Sequence, residues 1–237
     1  MSETGHGQMR SARLHRILAA MAEGDQPTPA HLCMVAAQIL QVDGAAVMVE
    51  GADHRSPLCS SDTVAAHIAE LGITLGEGPG VDAHTDGTPI AEPDLIRPRN
   101  PRWPSFTPLA VQAGLAAIFS FPLRVGGVHL GALTLHQMDS GHLSDDQHAD
   151  ALVMASVVVH TVLAHQAGAP SGMLATELDV LGSFQAEVHQ ASGMVSVQLG
   201  VSIAEALVRL RAHAYAAERG LRQVAVDVVN SELRLDH

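Results

Sequence analysis

The four residues Ser202-Ile203-Ala204-Glu205 constrain this chain most, because they write the start of an α-helix directly into the sequence. A Ser hydroxyl and a Glu carboxylate three residues later satisfy backbone N–H groups that a helix leaves unpaired at its N-terminus. Gly220 supplies the stop. Projected at about 100° per residue, Ile203, Ala206, Leu207, Leu210, Ala214 and Ala217 fall on one side, and Arg211, Tyr215 and Arg219 lie beside them at i, i+4, i+8. After Gly220 the apolar spacing repeats in Leu221, Val224, Ala225, Val228 and Val229. Before it, up to Gly200, come Phe184, Val188, Ala191, Val195 and Leu199. A short helix with one apolar face is unstable alone, so residues 183–237 are expected to form a three-helix bundle.

Charge and composition then remove several function classes. A net charge of −12 argues against a broadly basic nucleic-acid coat, so any polyanion contact must be local. Between residues 200 and 222 the sign reverses: Arg209, Arg211, Arg219 and Arg222 face Glu205 and Glu218. All 13 basic residues are Arg, which excludes a P-loop lysine, a Schiff-base lysine and most kinase-like sites. Cys33 and Cys59 are too few and too unpatterned for a disulfide framework or a zinc motif, and neither has a partner visible in the sequence. Residues 1–8 lack the apolar core of a signal peptide. The most apolar window, residues 152–164, is too short to span a bilayer. A cytoplasmic protein without membrane contact is the expectation.

Taken in order, residues 9–22 have helical spacing with Arg10, Arg13 and Arg16 on the polar side, a pattern that usually marks a solvated face. A second helix runs to about Leu40. An apolar strand at 45–49, a turn at 51–53 and a weaker strand near Cys59 read as a hairpin. Helix returns at 63–71, followed by the glycine-rich Thr74-Leu-Gly-Glu-Gly-Pro-Gly-Val-Asp-Ala83, which then turns helical. A glycine loop that opens a helix can hold an anion on its N–H groups, although glycines serve tight turns as often. A short strand at 90–95 and a Pro- and Arg-rich loop at 97–108, containing Trp103, lead to two strong strands at 116–124 and 128–137. Gly126-Gly127 joins these two as a hairpin. Ser144 caps a long helix to about His165 whose apolar residues cover most of its circumference, so its second face packs either on the N-terminal helices or on another subunit. Residues 168–172 read as a linker.

Two resemblances add to this reading. The segment EVHQASGMVSVQLGVS from Glu187 to Ser202, then EALVRLRA from Glu205, Arg219, and VAVDVV from Val224, closely resembles the ANTAR domain. That resemblance implies a three-helix RNA-binding module of transcription antitermination regulators. Leu75-Gly-Glu-Gly-Pro79 with Val81-Asp-Ala83, Glu92-Pro-Asp-Leu95, and the terminal hairpin followed by the long helix resemble a GAF domain over roughly residues 29–166. This implies a ligand-sensing antiparallel sheet flanked by helices, and it implies pairing into a homodimer through terminal helices. Regulators that couple the two domains often carry a Cys where this chain has Gly80, so thiol sensing there is not expected. The expected fold is therefore α+β, GAF-like, over residues 1–167, then a linker at 168–182 and an all-α ANTAR bundle at 183–237.

The expected function is an RNA-binding antitermination regulator whose sensory domain controls binding to tandem hairpins in nascent transcripts. Arg211, Tyr215, Arg219, Arg222 and Arg209 are the candidate RNA contacts. Bases in hairpin loops are read by stacking on aromatic or guanidinium planes while Arg holds phosphates. Gly76, Glu77, Gly78 and Asp82 are the candidate contacts for a small-molecule ligand between sheet and covering helix. Bland readings stand beside these: Tyr215 as a core aromatic with its hydroxyl at the rim, and Arg211 and Arg219 as a solvated face balanced by Glu218. No catalytic residue, metal or cofactor is expected; His129 and His136 point to opposite faces of one strand, and Asp82, Glu77 and His84 form an acid–base group on paper alone. The alternative function is a sensor acting by protein–protein contact, with the bundle as a dimerisation module.

Overall fold

The computed structural model describes residues 3–22, 29–50, 55–166, 187–188, 190–217 and 219–235. The turn expected at 51–53, the linker at 168–182, and the positions of Phe184 and Glu218 lie outside the described residues.

Strands β1 (Gly44–Glu50), β2 (Arg55–Ser60), β3 (Ile90–Glu92), β4 (Ala117–Val125) and β5 (Val128–Gln137) form one antiparallel sheet in the order β2-β1-β5-β4-β3. Side chains alternate across it. Ala45 and Val47 of β1, Phe119, Phe121 and Leu123 of β4, and Leu133 and Leu135 of β5 join one apolar cluster with helices α1 (Glu3–Ala22), α2 (Pro29–Leu40) and α6 (Asp145–Gln166). Ala46, Met48, Ala132 and Thr134 face the other way, towards α3 (Thr63–Leu75) and α4 (Pro79–Asp86).

The long helix α6 takes the first of its two options. Met154 and Val158 are fully buried and Val153, Val157 and Val159 nearly so, within a cluster that includes Ile17 of α1 and Leu32 of α2. The arginines of α1 are not a free face: Arg13 pairs with Asp146 at 2.5 Å and Asp150 at 2.8 Å, and Arg16 also pairs with Asp150. These contacts clip α1 across α6. Leu152 and Leu163 remain partly exposed.

The loop expected at 97–108 ends in a short helix, α5 (Phe106–Gln112), which Pro104 before it and Pro108 within it concealed. In the C-terminal part, α7 (Gln190–Leu199), α8 (Ile203–Ala216) and α9 (Leu221–Val229) share a second apolar cluster. Ser202 Oγ accepts the Glu205 N–H at 3.2 Å, as the capping box requires. The core stripe of α8 is narrower than its projection: Ala206, Leu210 and Ala214 are fully buried, whereas Ile203 and Ala217 at the helix ends are exposed.

The expectation that Cys33 and Cys59 lack a partner is corrected, because they form a disulfide between α2 and β2, with Cα atoms 6.0 Å apart. The pairing follows from packing α2 against the β1–β2 hairpin, which spacing along the chain does not encode. Closing the 26-residue separation should stabilise the fold by roughly 3 kcal/mol, through restriction of the unfolded chain. Urea unfolding of oxidised and reduced protein should therefore give a lower midpoint for the reduced form, and coincident curves would show that the bond constrains nothing.

Candidate functional site

The glycine-rich segment folds as a brace. Helix α3 ends at Gly76 in the left-handed conformation, its N–H bonded to Gly72 O. The next residue, Glu77, accepts the backbone N–H groups of Ser105 at 2.6 Å and Phe106 at 2.7 Å, and so holds the start of α5. Gly78 has φ 126° and lies against the Phe106 ring, where a Cβ would come within 3.1 Å. Asp82 accepts the Trp103 indole N–H at 2.8 Å. Glu77, Gly78 and Asp82, three of the four residues put forward as ligand contacts, thus hold the 97–108 loop and the start of α5 against the α3–α4 segment, whereas Gly76 lies beside Arg211, and they do not form an acid–base group with His84.

Between sheet and α4 the enclosed space is about 20 Å³, lined by Ala46, Met48, Ile68, Gly72, Gly80 and Thr134. That is room for a single water. The cause is Gly80: a Cβ there would stand 3.0 Å from Thr134 Oγ1, so α4 lies directly on β5.

Among the C-terminal arginines, three have carboxylate partners. Arg209 pairs with Glu205 at 2.8 Å, Arg219 with Asp227 at 2.6 Å, and Arg222 with Glu187 at 2.8 Å. Tyr215 is 48% exposed, so it is not a core aromatic. Arg211 differs from all of these. It turns towards the α/β unit, with Nη1 3.5 Å from where a Gly76 Cβ would be, and its buried Nε finds no hydrogen-bond partner. Burial depresses its pKa, Arg55 depresses it further, and Glu50 opposes both. What favours the guanidinium there is the carbonyl end of α3, because a cation is stabilised at a helix C-terminus.

A reciprocal contact lies at the other side of α3. Helix α9 opens on Gly220, which has no side chain to cap it. Glu70 of α3 fills the place: a Cβ on Gly220 would be 1.8 Å from Glu70 Oε1. A carboxylate at a helix N-terminus is favourable in the same sense that a cation is at the C-terminus, and Glu70 also raises the Arg222 pKa, after the larger effect of Glu187. Sequence reading missed Glu70, although an uncapped Gly before an amphipathic helix was a signal to look for an acid elsewhere.

Beside Arg211 stands a polar cluster that sequence reading also missed. Glu50 Oε2 lies 2.9 Å from Arg55 Nε, an ion pair without hydrogen-bond alignment, and 3.2 Å from His84 Nε2. His129 packs edge-on to His84 at 5.8 Å.

Residues 30–169 match the GAF domain family. The chain belongs to the GAF domain family. A GAF domain from a phosphoenolpyruvate-protein phosphotransferase of Coxiella burnetii is 15% identical with TM-score 0.51, over 68% of this chain and 96% of that one. A type II free methionine-R-sulfoxide reductase from Thermoplasma acidophilum is 16% identical with TM-score 0.42, over 65% and 94%. The chromophore-binding domain of a Stigmatella aurantiaca phytochrome is 10% identical with TM-score 0.46, over 64% and 59%. No curated protein matches the chain. The GAF family is a sensory one, in agreement with the signal-sensing part of the expectation; the match ends before α7. Among the described residues no single helix is long and apolar enough to cross a membrane.

The His84 environment makes stability depend on pH. Burial lowers its pKa from the ordinary 6.5, with Arg55 and His129 acting in the same direction and Glu50 against them. Burial likewise lowers that of His136, against Asp62 and Asp43. The unfolded chain takes up these protons near pH 6.5 while the fold resists them, so stability is complete above that pH and falls on acidification through it. Urea titrations at about pH 7.5 and pH 5.5 should show this loss, and His84→Gln should reduce it. An unchanged loss in His84→Gln would remove His84 from the account.

Proposed function

We propose that the chain is a signal-controlled, RNA-binding regulator. Its GAF domain receives the signal, and α7–α9, which resemble an ANTAR module, bind paired hairpins in nascent RNA and so oppose a terminator. The observation that supports this reading is Arg211. A guanidinium mostly withdrawn from water normally has a carboxylate partner, because an unpaired buried charge is costly. This one has a helix end, one repelling arginine, and Glu50, which attracts it without forming an ion pair among the described residues. An arginine kept without a fixed acid partner, one helical turn from an exposed aromatic, suits alternating occupancy: the end of α3 in the docked arrangement, a phosphate in the released one. Docking then withholds Arg211 from RNA while Tyr215 and Arg209 stay at the surface. The protein works as a homodimer in the cytoplasm in this reading. Two bundles on adjacent hairpins gain affinity through effective concentration. It acts by binding and not by catalysis.

One observation favours a second reading, protein–protein contact through the bundle. Val197 is 86% exposed and Val208 60%, with Ile203 also open, more apolar surface than a small isolated bundle usually shows. Val197→Asp should leave RNA binding intact in the first reading and abolish partner binding in the second.

Fluorescence anisotropy with a tandem-hairpin RNA and a scrambled control, at moderate salt, tests the proposal. The wild type should prefer the hairpins. Tyr215→Ala should lose roughly 1–3 kcal/mol of binding while helicity persists. Glu70→Arg, which sets a cation against Arg222 and the start of α9, should loosen docking and strengthen binding. Absence of any preference for paired hairpins, in the wild type and in Glu70→Arg alike, ends the RNA reading.

A further inference from the structure

Where the C-terminal helices meet the GAF domain they do not close completely. A crevice of about 640 Å³ remains between α3 and α5 on one side and the corner of α8 and α9 on the other. That volume is in the range of small-molecule sites, and it contrasts with the single-water space under α4. The crevice is independent of the RNA reading, because it follows from the docking geometry alone.

Its chemistry narrows the occupant. Of the charged groups in its wall, Arg219 pairs with Asp227 at 2.6 Å, and Glu70 lies against Gly220 at the start of α9. An anion would meet Glu70 without a free cation, and a cation would compete with the start of α9 for that same carboxylate. A neutral molecule meets neither cost. Leu71 and Leu109 give the GAF side an apolar floor, and the half-exposed ring of Tyr215 faces it from α8. An aromatic ring and two leucines in one wall favour a flat ligand held by stacking. The amides of Gln112 and Gln223 line the same crevice, each able to donate and to accept. No hydrogen bond among the described residues engages either one. Thr74, 5% exposed, lies in the same wall, and its hydroxyl has no partner.

We propose that this crevice binds a neutral, planar heteroaromatic molecule, stacked on Tyr215 and hydrogen-bonded at its edges by Gln112 and Gln223. Such a ligand touches both units at once, so it stabilises the docked arrangement by its own binding free energy. It also takes the exposed face of Tyr215.

The test uses the full chain and four probes: theophylline, lumazine, riboflavin and adenosine, by saturation-transfer NMR and calorimetry. At least one should bind with a dissociation constant below roughly 1 mM. Tyr215→Ala should weaken that binding at least about tenfold, in keeping with the loss of a stacking partner. Ala216→Trp, which fills the crevice from an exposed position, should do the same with unchanged far-UV circular dichroism. If none of the four binds, or if both variants bind as tightly as the wild type, the proposal is overturned. Because no RNA enters this experiment, its failure leaves the hairpin reading to be judged by its own test.

Discussion

Everything C-terminal to the GAF domain hangs on the two ends of electrostatic complementarity around helix α3. Arg211 of α8 sits at its carbonyl end, and Glu70 of α3 itself sits at the start of α9. Each contact sets a full charge against a helix dipole of the opposite sign, worth about 0.3–1 kcal/mol at an exposed site and more when partly buried. Neither is strong, but together they fix an orientation, because moving the bundle by one turn along α3 would break both. Between them, Ile73 of α3 belongs to the same apolar cluster as Leu210 and Ala214 of α8 and Val224 of α9. Burial supplies the attraction there and the two dipole contacts supply the register.

Helix α3 can serve this way because it packs on two sides. Ile68, Ala69 and Gly72 face the sheet and α4, whereas His67, Glu70, Leu71 and Thr74, at i, i+3, i+4, i+7, face the crevice and the bundle. The mixed polarity of the second stripe leaves room for separation. An interface of leucines alone would be permanent, while one that includes Glu70, His67 and an under-compensated Arg211 is nearer balance. The tight space beneath α4 acts in the same direction. With Gly80 seated on Thr134, a ligand cannot enter between sheet and α4 without moving that helix, so an occupant finds open volume at the boundary between the units instead.

Much of this architecture was legible in the sequence, for physical reasons that differ by element. Strand β5 was read to its observed ends because alternation and the Gly126-Gly127 turn are local signals. Helix α8 was read from Ser202 because its cap is chemical. Helix α5 was missed, since Pro104 and Pro108 outweighed the periodicity of seven residues. The candidate ligand residues Glu77 and Asp82 were recognised as special, but their partners, Phe106 N–H and Trp103 Nε1, lie more than twenty positions away. No local pattern says that a carboxylate will brace a loop rather than meet a ligand. The same limit hid the Cys33–Cys59 bond and the role of Glu70. Arg211, Tyr215 and Arg219 were read as one stripe; Arg211 and Tyr215 lie one turn apart on α8, but that helix ends at Ala216, and Arg219 follows it and pairs with Asp227 of α9. What spacing could not supply was the neighbour that turns Arg211 inward.

In the proposed reading, that inward turn sets the energetic scale on which control operates. If the released arrangement is a fraction f of the population, apparent affinity for any partner of Arg211 falls by that fraction. A docked state favoured by about 2–3 kcal/mol keeps roughly 0.6–3% of molecules released, and weakens binding by about thirty- to one-hundred-and-sixty-fold. Two dipole contacts and a modest apolar seam amount to that order, whereas a sealed hydrophobic interface would exceed it greatly. The desolvated Arg211 contributes by what it lacks: without a carboxylate, docking is less favourable than a paired arginine would make it. Had Arg211 a fixed acid partner like those of Arg209, Arg219 and Arg222, release would leave that pair to be broken as well, and a signal of a few kcal/mol would not suffice. In the proposed reading, the unpaired guanidinium is the feature that keeps the two arrangements close enough in free energy for a small ligand to choose between them.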